Sequence, residues 1–451
     1  MALKNKVEGK KKMKTREYSL FTAIAMIVGT VIGSGIFFKS DNVLIYTDGD
    51  VLNGVLVFTL AALGIIFGSL TIAVLASKTK NPGGLIAYAD EFSGHKTACA
   101  FGWFQIFVYY PSIIVVVAGI AGVYISMLFG FNNTPEVVLI ACIVFTTFFF
   151  VMNMLSVRLG GLFQNAATII KLIPLFIIAV CGMIFGDVNT AVSAASESAK
   201  SAGWLLAVAP IAFAYDGWVV STSIAHEIKN SKRNLPIALV VGPVFILAVY
   251  IIYFIGICAL VGPDEIMSLG DAHVNVAAER ILGSMGAKII LVFVIVSVLG
   301  TVNGYVLGFI RLPYSLAVLK MFPHYEKVGK IDTKYGVPMT SGKIAFVISI
   351  IWAFIHYFVT KLNLMPNSDV SEIPIVSSYI LYILLYVKVI KLYMEKNDGL
   401  SVLRGLIIPI IAIIGSLLII IGGLANPMTV VYILICAVVI ALSLVYYKKE
   451  V

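Results

Sequence analysis

Charged side chains are the scarcest component of this sequence. Asp, Glu, Lys and Arg make up 12% of its 451 residues against 60% hydrophobic, and the mean hydropathy is +1.02. So few charges in so long a chain exclude a soluble globular protein and identify a polytopic membrane protein. Histidine is equally sparse: His95, His226, His273, His324 and His356 fall in loops or near the ends of apolar segments. That distribution argues against axial haem ligation inside a bundle. It also argues against an intramembrane serine protease, although Gly33-Ser34-Gly35 has the look of a nucleophile turn. The five cysteines (Cys99, Cys142, Cys181, Cys258, Cys436) show no zinc or redox spacing and no extracellular pair for a disulfide. Four lie in apolar segments as buried small hydrophobes, and Cys99 is expected in a cytoplasmic loop. The arginine ladder or repeated pore loops of an ion channel are missing. Residues 1–17 are basic without an apolar core, and the first hydrophobic run is too long for a signal peptide, so no cleavage is expected. No metal or cofactor is expected.

What the chain does contain is a series of apolar segments, each long enough for the roughly 20 residues a membrane span needs. Twelve are predicted: 18–46, 51–77, 97–129, 136–156, 160–186, 204–228, 236–261, 287–320, 338–360, 373–394, 402–424 and 428–447. With the N-terminus inside, 26 of the 32 Lys and Arg residues fall on the cytoplasmic side. Four (Lys200, Arg280, Lys288, Lys361) fall outside, and Lys39 and Lys171 lie within spans. This bias predicts a multi-pass protein of the cell membrane with both termini cytoplasmic. Topology accounts for the net charge of +9 without a nucleic-acid partner. The connection 262–287 is long and polar, and its pattern predicts a short external helix over 274–282, placed to cap a site.

Inside the first span, Val28-Gly29-Thr30-Val31-Ile32-Gly33-Ser34-Gly35-Ile36-Phe37 gathers glycines and a serine where a membrane helix should be continuous. Gly-Ser clusters break helices, and lipid tolerates a broken helix only where the freed backbone groups meet protein, water or ligand. Close packing through small residues is the competing reading. The sixth span carries Phe213-Ala214-Tyr215-Asp216-Gly217-Trp218 at its middle, a second glycine now joined by a carboxylate. Two interrupted helices in corresponding places of two halves point to a transporter's substrate site. The expected organisation is a cytoplasmic N-terminus (1–17), a first repeat of five spans (18–186), a second of opposite orientation (204–394), two further spans (402–447) and a cytoplasmic C-terminus (448–451).

The chemistry of such breaks suits a zwitterion. N–H groups at Ser34, Gly35 and Ile36, following Gly33, with the Ser34 hydroxyl, would receive a carboxylate. Carbonyls at Val31 and Ile32, completed by Phe213 and Ala214, would receive an ammonium. Phe213 is either a lid over the substrate or one more of 27 phenylalanines, and taken alone it favours packing. Asp216 either caps the second half of its helix, the plainer choice, or contacts an amine. Lys171 is buried mid-span, too deep to snorkel easily; it can replace a bound cation or titrate and carry a proton. Lys39, just outside the first break, is expected to snorkel outward. Ser297 and Thr301 share a face of the eighth span, where they meet the first break and Lys171 or simply tighten packing. Tyr109-Tyr110-Pro111 either lines a cavity wall or marks a proline kink.

In these residues the chain resembles the amino acid–polyamine–organocation (APC) transporter superfamily and, within it, the L-amino acid transporter family. The carriers are GTVIGSGIF, FAYDGW, the loop from Glu227 to Pro236, Lys171 and GTVNG in the eighth span, in order and over nearly the whole chain. The resemblance implies an all-α leucine-transporter fold of twelve transmembrane helices, five plus five inverted and two more, with helices 1 and 6 broken and alternating access. It implies that Phe213 is the gating aromatic. It also implies that Lys171 stands where sodium-coupled relatives hold sodium, hence sodium-independent transport.

Two departures matter. Val219 stands where many members have Asn after the Trp of the sixth helix, which bears on side-chain selectivity. Animal members join a single-span glycoprotein through a cysteine between spans three and four. Here residues 130–136 have none, so a protein that works alone, as bacterial members do, is expected. Small neutral L-amino acids, like alanine, serine and cysteine, are the expected substrates, with exchange preferred. Proton-coupled symport is the alternative, and cationic or larger neutral amino acids are the competing substrates.

Overall fold

All regular structure described is helical. The computed structural model describes residues 19–79, 84–193, 202–219, 222, 228–365, 369–395, 399–424 and 428–450. In chain order its helices are α1 (Leu20–Val31), α2 (Ser34–Phe38), α3 (Ser40–Tyr46), α4 (Val51–Lys78), α5 (Leu85–Ser93), α6 (His95–Phe104), α7 (Tyr110–Phe129) and α8 (Pro135–Leu155). They continue as α9 (Val157–Ile170), α10 (Leu172–Phe185), α11 (Val188–Ser193), α12 (Val208–Ala214), α13 (Ser231–Val261), α14 (Pro263–Leu269) and α15 (His273–Phe309). The last are α16 (Leu312–Val318), α17 (Tyr325–Val328), α18 (Met339–Lys361), α19 (Glu372–Met394), α20 (Ile408–Leu424) and α21 (Thr429–Glu450).

Among the described residues, 10 helical runs are long and apolar enough to cross a membrane. Nine follow expected spans to within three residues, the tenth, Pro263–Val318, takes in the expected eighth span (287–320) together with the connection before it, and the first and sixth are in pieces. Residues 220, 221 and 223–227 of the expected sixth span lie outside the described residues. Short polar signals set the helix ends. Asp50 accepts from Asn53 N at 2.9 Å to open α4, and Thr134 with Pro135 opens α8. Gly130, left-handed at φ 72°, closes α7. Cys99 is not in a loop as expected. The third run begins at His95, and Cys99 is buried on α6.

Close packing rests on small residues, as expected where lipid removes the hydrophobic drive between helices. A Cβ on Gly64 of α4 would lie 3.2 Å from Gly415 Cα of α20, and one on Gly256 of α13 would lie 2.8 Å from Ala179 O of α10. The broken helices are held inside this frame. The α1 half packs on α9, α13 and α15, and α12 on α4, α19 and α20. Large apolar side chains such as Phe148, Phe354 and Leu434 point outward. On one side of the bundle, α14, the 3₁₀ turn Gly270–Ala272 and the start of α15 form a cap. The expected helix over 274–282 is there. It starts at His273 and breaks at Gly283, whose φ of 69° and ψ of −179° no other residue type adopts readily.

Candidate functional site at two broken helices

The first break is a short extended link. After Ile32 N donates to Val28 O at 2.9 Å, Gly33 turns to φ −141°, ψ −143° and the helix resumes at Ser34. No side chain caps the new start at Gly33. The glycines answer to space. A Cβ on Gly33 would collide with the Thr301 side chain, and one on Gly35 would sit 2.6 Å from Ala214 Cα. The two breaks therefore meet backbone to backbone. In the second break α12 ends at Ala214, and Gly217 takes φ +98° with Thr30 3.0 Å from its would-be Cβ. Both conformation and room require glycine there.

Lys171 crosses to the first break. It lies between α9 and α10, wholly buried, and its Nζ donates to Gly29 O at 2.6 Å and to Ile32 O. The lysine amine thus satisfies two carbonyls at the end of α1. Helix α15, which carries Thr301 and Ser297, passes close by. Thr301 packs on Gly33, and the would-be Cβ of neighbouring Gly300 is 3.9 Å from Lys171 Cε. Ser297 Oγ is buried without a partner among the described residues. Gly29 O also accepts from Gln164 Nε2 at 3.4 Å; Asn303 Nδ2 donates to Gln164 Oε1 at 2.9 Å, and Asn153 Nδ2 to Asn303 Oδ1 at 2.8 Å. This amide chain joins α1, α9, α15 and α8.

The other carbonyls expected to receive an ammonium have protein donors here. Tyr250 Oη donates to Ala214 O at 2.9 Å and reaches Val31 O at 3.4 Å, while Phe213 O accepts from Asp216 N at 2.9 Å. A carbonyl has a second lone pair, so each can still accept another bond. The Ser34 hydroxyl lies outside what the structure describes. Ser34, Gly35 and Ile36 are at the start of α2 as the sequence suggested.

Asp216 is buried, and its Oδ2 accepts from Tyr109 Oη at 2.6 Å and Tyr305 Oη at 2.8 Å. A buried carboxylate is retained where donors satisfy it. Tyr109 reaches it because a π-helical turn, Gln105–Tyr109, precedes Pro111. Such turns re-aim side chains. The sequence marked Tyr109 but gave no sign of Tyr305 or Tyr250, which are three of 21 tyrosines together with it and carry no distinguishing local pattern.

Phe213 is buried at the second break, and the expectation that Lys39 snorkels outward is corrected above it. Lys39 is 4% exposed. Its Nζ lies 3.2 Å from Glu372 Oε1, 3.4 Å from Asp369 Oδ2 and 5.6 Å from the Phe213 ring centroid. Two carboxylates more than 300 residues away in sequence draw the ammonium inward, a pull no local reading reveals.

A helical membrane bundle with two interrupted helices meeting at its centre, one closed by a buried ammonium, is the scaffold of a transporter. The chain is similar to the solved structure of MhsT in complex with L-phenylalanine, with a TM-score of 0.58 and 14% identity over 91% of this chain and 97% of that one, which shows the leucine-transporter fold. The amino acid permease family profile matches residues 18–445, and this chain belongs to that family. It is 32% identical to the serine/threonine exchanger SteT of Bacillus subtilis over 89% of both chains. Similarity to the b(0,+)-type amino acid transporter 1 of Mus musculus is 31% over 64% of this chain and 60% of that one. The human cystine/glutamate transporter is 28% identical over 66% of this chain and 60% of its own. These relatives are transporters and not enzymes, and the chain is a multi-pass amino acid transporter of the APC type within the L-amino acid transporter group.

Proposed function

We propose that this protein exchanges small neutral L-amino acids, of the size of alanine, serine, threonine and cysteine, without sodium. The observation that carries the reading is Lys171, whose ammonium already occupies the carbonyl end of α1 at Gly29 and Ile32. A cation fixed to the chain removes the need for one from solution. Exchange is supported by the likeness to the Bacillus subtilis serine/threonine exchanger over 89% of both chains.

The substrate's carboxylate is assigned to the N–H groups of Ser34, Gly35 and Ile36, and its ammonium to the remaining lone pairs at Val31, Ile32, Phe213 and Ala214. Phe213 is the gate. Asp216 faces the side-chain end. Its Oδ2 already holds two phenol hydroxyls, so a cationic side chain would have to compete with both, and this favours neutral substrates. Ser297 and Thr301 serve the cation position beside Lys171. The lysine and arginine bias supports a cell-membrane protein with cytoplasmic termini and the cap outside. It works without a disulfide-linked partner, through two inverted five-helix repeats (18–186 and 204–394) alternating in access.

Purified protein in liposomes tests this. Labelled serine or alanine should enter only vesicles preloaded with unlabelled amino acid, in sodium-free buffer. Entry into empty vesicles driven by a proton gradient would instead make it a symporter with Lys171 as carrier. Entry of lysine or arginine but not alanine would sink the neutral-substrate reading.

A further inference from the structure

Above the breaks, the cap side gathers more acid than base in buried and half-buried positions. Lys39 is shared by Asp369 and Glu372, and Asp369 Oδ1 also accepts from Ser371 N at 2.8 Å and from its hydroxyl. Those two carboxylates are satisfied. Two more draw on that same lysine without an ion pair of their own: Asp41 of α3, 8% exposed and accepting from Asn42 Nδ2 at 3.5 Å, and the half-buried Asp271 on the cap's 3₁₀ turn form no salt bridge among the described residues. The helix carrying Asp41 lies on the cap, and a Cβ on Gly270 would come 3.9 Å from Asp41 Oδ2.

A second observation shows what this layer lacks. His273 Nδ1 meets Gly270 O at 2.5 Å, so Nδ1 bears the hydrogen and a neutral imidazole presents a bare lone pair at Nε2. That Nε2 is fully buried with no partner among the described residues, as are Tyr124 Oη of α7 and Tyr253 Oη of α13. Asp41 and Asp271 are electrostatic neighbours of Tyr124, and Asp41 of His273. Two carboxylates and a bare nitrogen thus share one layer, and a buried acceptor without a donor, as at His273 Nε2, costs about 1–3 kcal/mol.

Lys39 is thus one ammonium among four carboxylates, Asp41, Asp271, Asp369 and Glu372, and the other groups around them do not make up the difference. Tyr46 of α3 is uncharged, and Asp50 at the start of α4 is occupied by Asn53. His356 of α18 neighbours Asp369 with its Nδ1 unpartnered among the described residues. Arg280 on the cap's outer face is bound to Glu265 at 2.7 Å, Asp264 adds only another acid, and the turn 202–207 carries no titratable side chain.

We propose that this layer is a proton-binding site made by closure. When α3 lies on the cap turn, Asp41, Asp271 and His273 hold a proton taken from the medium on the cap side. When helix and cap part, that proton returns to the same medium. No other bond forms or breaks. The closed form then holds one proton more than the open form, so acid favours closure by up to about tenfold per pH unit. The idea uses the alternating-access reading only in requiring α3 and cap to separate, and its test needs no transport.

Full-length protein in lipid nanodiscs is followed by hydrogen exchange at segments 40–46 and 263–273, at about pH 5.5 and about pH 8, corrected for intrinsic exchange; these bracket histidine and lie above free carboxylates. Protection should be at least about tenfold greater at the acid pH. D271N and H273Q, made separately so that one failing to fold leaves the other, should each flatten that difference. Equal corrected protection at both pH values would overturn the proposal, as would a full pH dependence persisting in the folded variants. Restoration of protection at the higher pH by sodium over potassium would also overturn it, by making the ligand a metal cation. If wild-type protein transports no amino acid, the exchange reading fails while this measurement still decides.

Discussion

In the proposed exchanger, a single lysine side chain, Lys171, takes the place of a dissociable ion at the first break. Lys171→Met keeps the apolar stem but leaves the Gly29 and Ile32 carbonyls short of a buried donor, each worth about 1–3 kcal/mol. Exchange in liposomes should fall at least about tenfold, the effect of about 1.4 kcal/mol. Tyr305→Phe removes one of two bonds to the Asp216 carboxylate, a bond to a charged group of about 1.5–3 kcal/mol. Its melting temperature in detergent should fall by several degrees, with a smaller fall in the double variant Y305F/D216N, where the charge has gone. At this scale the sequence was only half legible. Lys171 stood out because a charge deep in an apolar run has few bland explanations. Lys39 did not, because its partners Asp369 and Glu372 arrive from the other end of the chain. Tyr305 looked like any other aromatic.

Among the elements, the breaks are held open by neighbours as much as by their own glycines. Gly33→Ala would drive a methyl into Thr301, and overpacking of this kind costs about 1–3 kcal/mol. Transport by G33A should be strongly reduced and partly recovered in G33A/T301G, a coupling that a double-mutant cycle measures directly. Gly35→Ala meets Ala214 backbone at 2.6 Å, so no side-chain trimming should rescue it. The first break was readable from composition, because three glycines and a serine in seven residues have no other use in a long apolar run than space or interruption. The cap helix was also readable to within a residue at its start. The π-helical turn before Pro111 was not, since its only sequence mark, a proline, signals a kink equally well.

Across the whole molecule, Lys39 ties the helix after the first break to α19 over Phe213. Lys39→Met would remove the ammonium that Asp369 and Glu372 share, a loss of about 3 kcal/mol for a pair this buried. Thermal unfolding in detergent should show a clear drop, largely reversed in K39M/E372Q. Apolar runs and the Lys and Arg bias laid out the spans, since both follow from the bilayer acting on every residue. Which helices touch follows from small residues spread across the chain, such as Gly64 against Gly415, and that pairing is invisible until the fold brings them together.

The buried ammonium at the first break has one further consequence. On the exchange proposed above, with Lys171 part of the polypeptide, no inorganic ion would ride with a zwitterionic cargo, and a proton taken up on the cap side would go back where it came from. One zwitterion traded for another then moves no net charge. Membrane voltage, which weighs about 2.3 kcal/mol on each elementary charge per 100 mV, has nothing to act on. Valinomycin-imposed potentials of either sign should leave the trade at the same rate and the same final distribution, so concentration ratios alone set its direction.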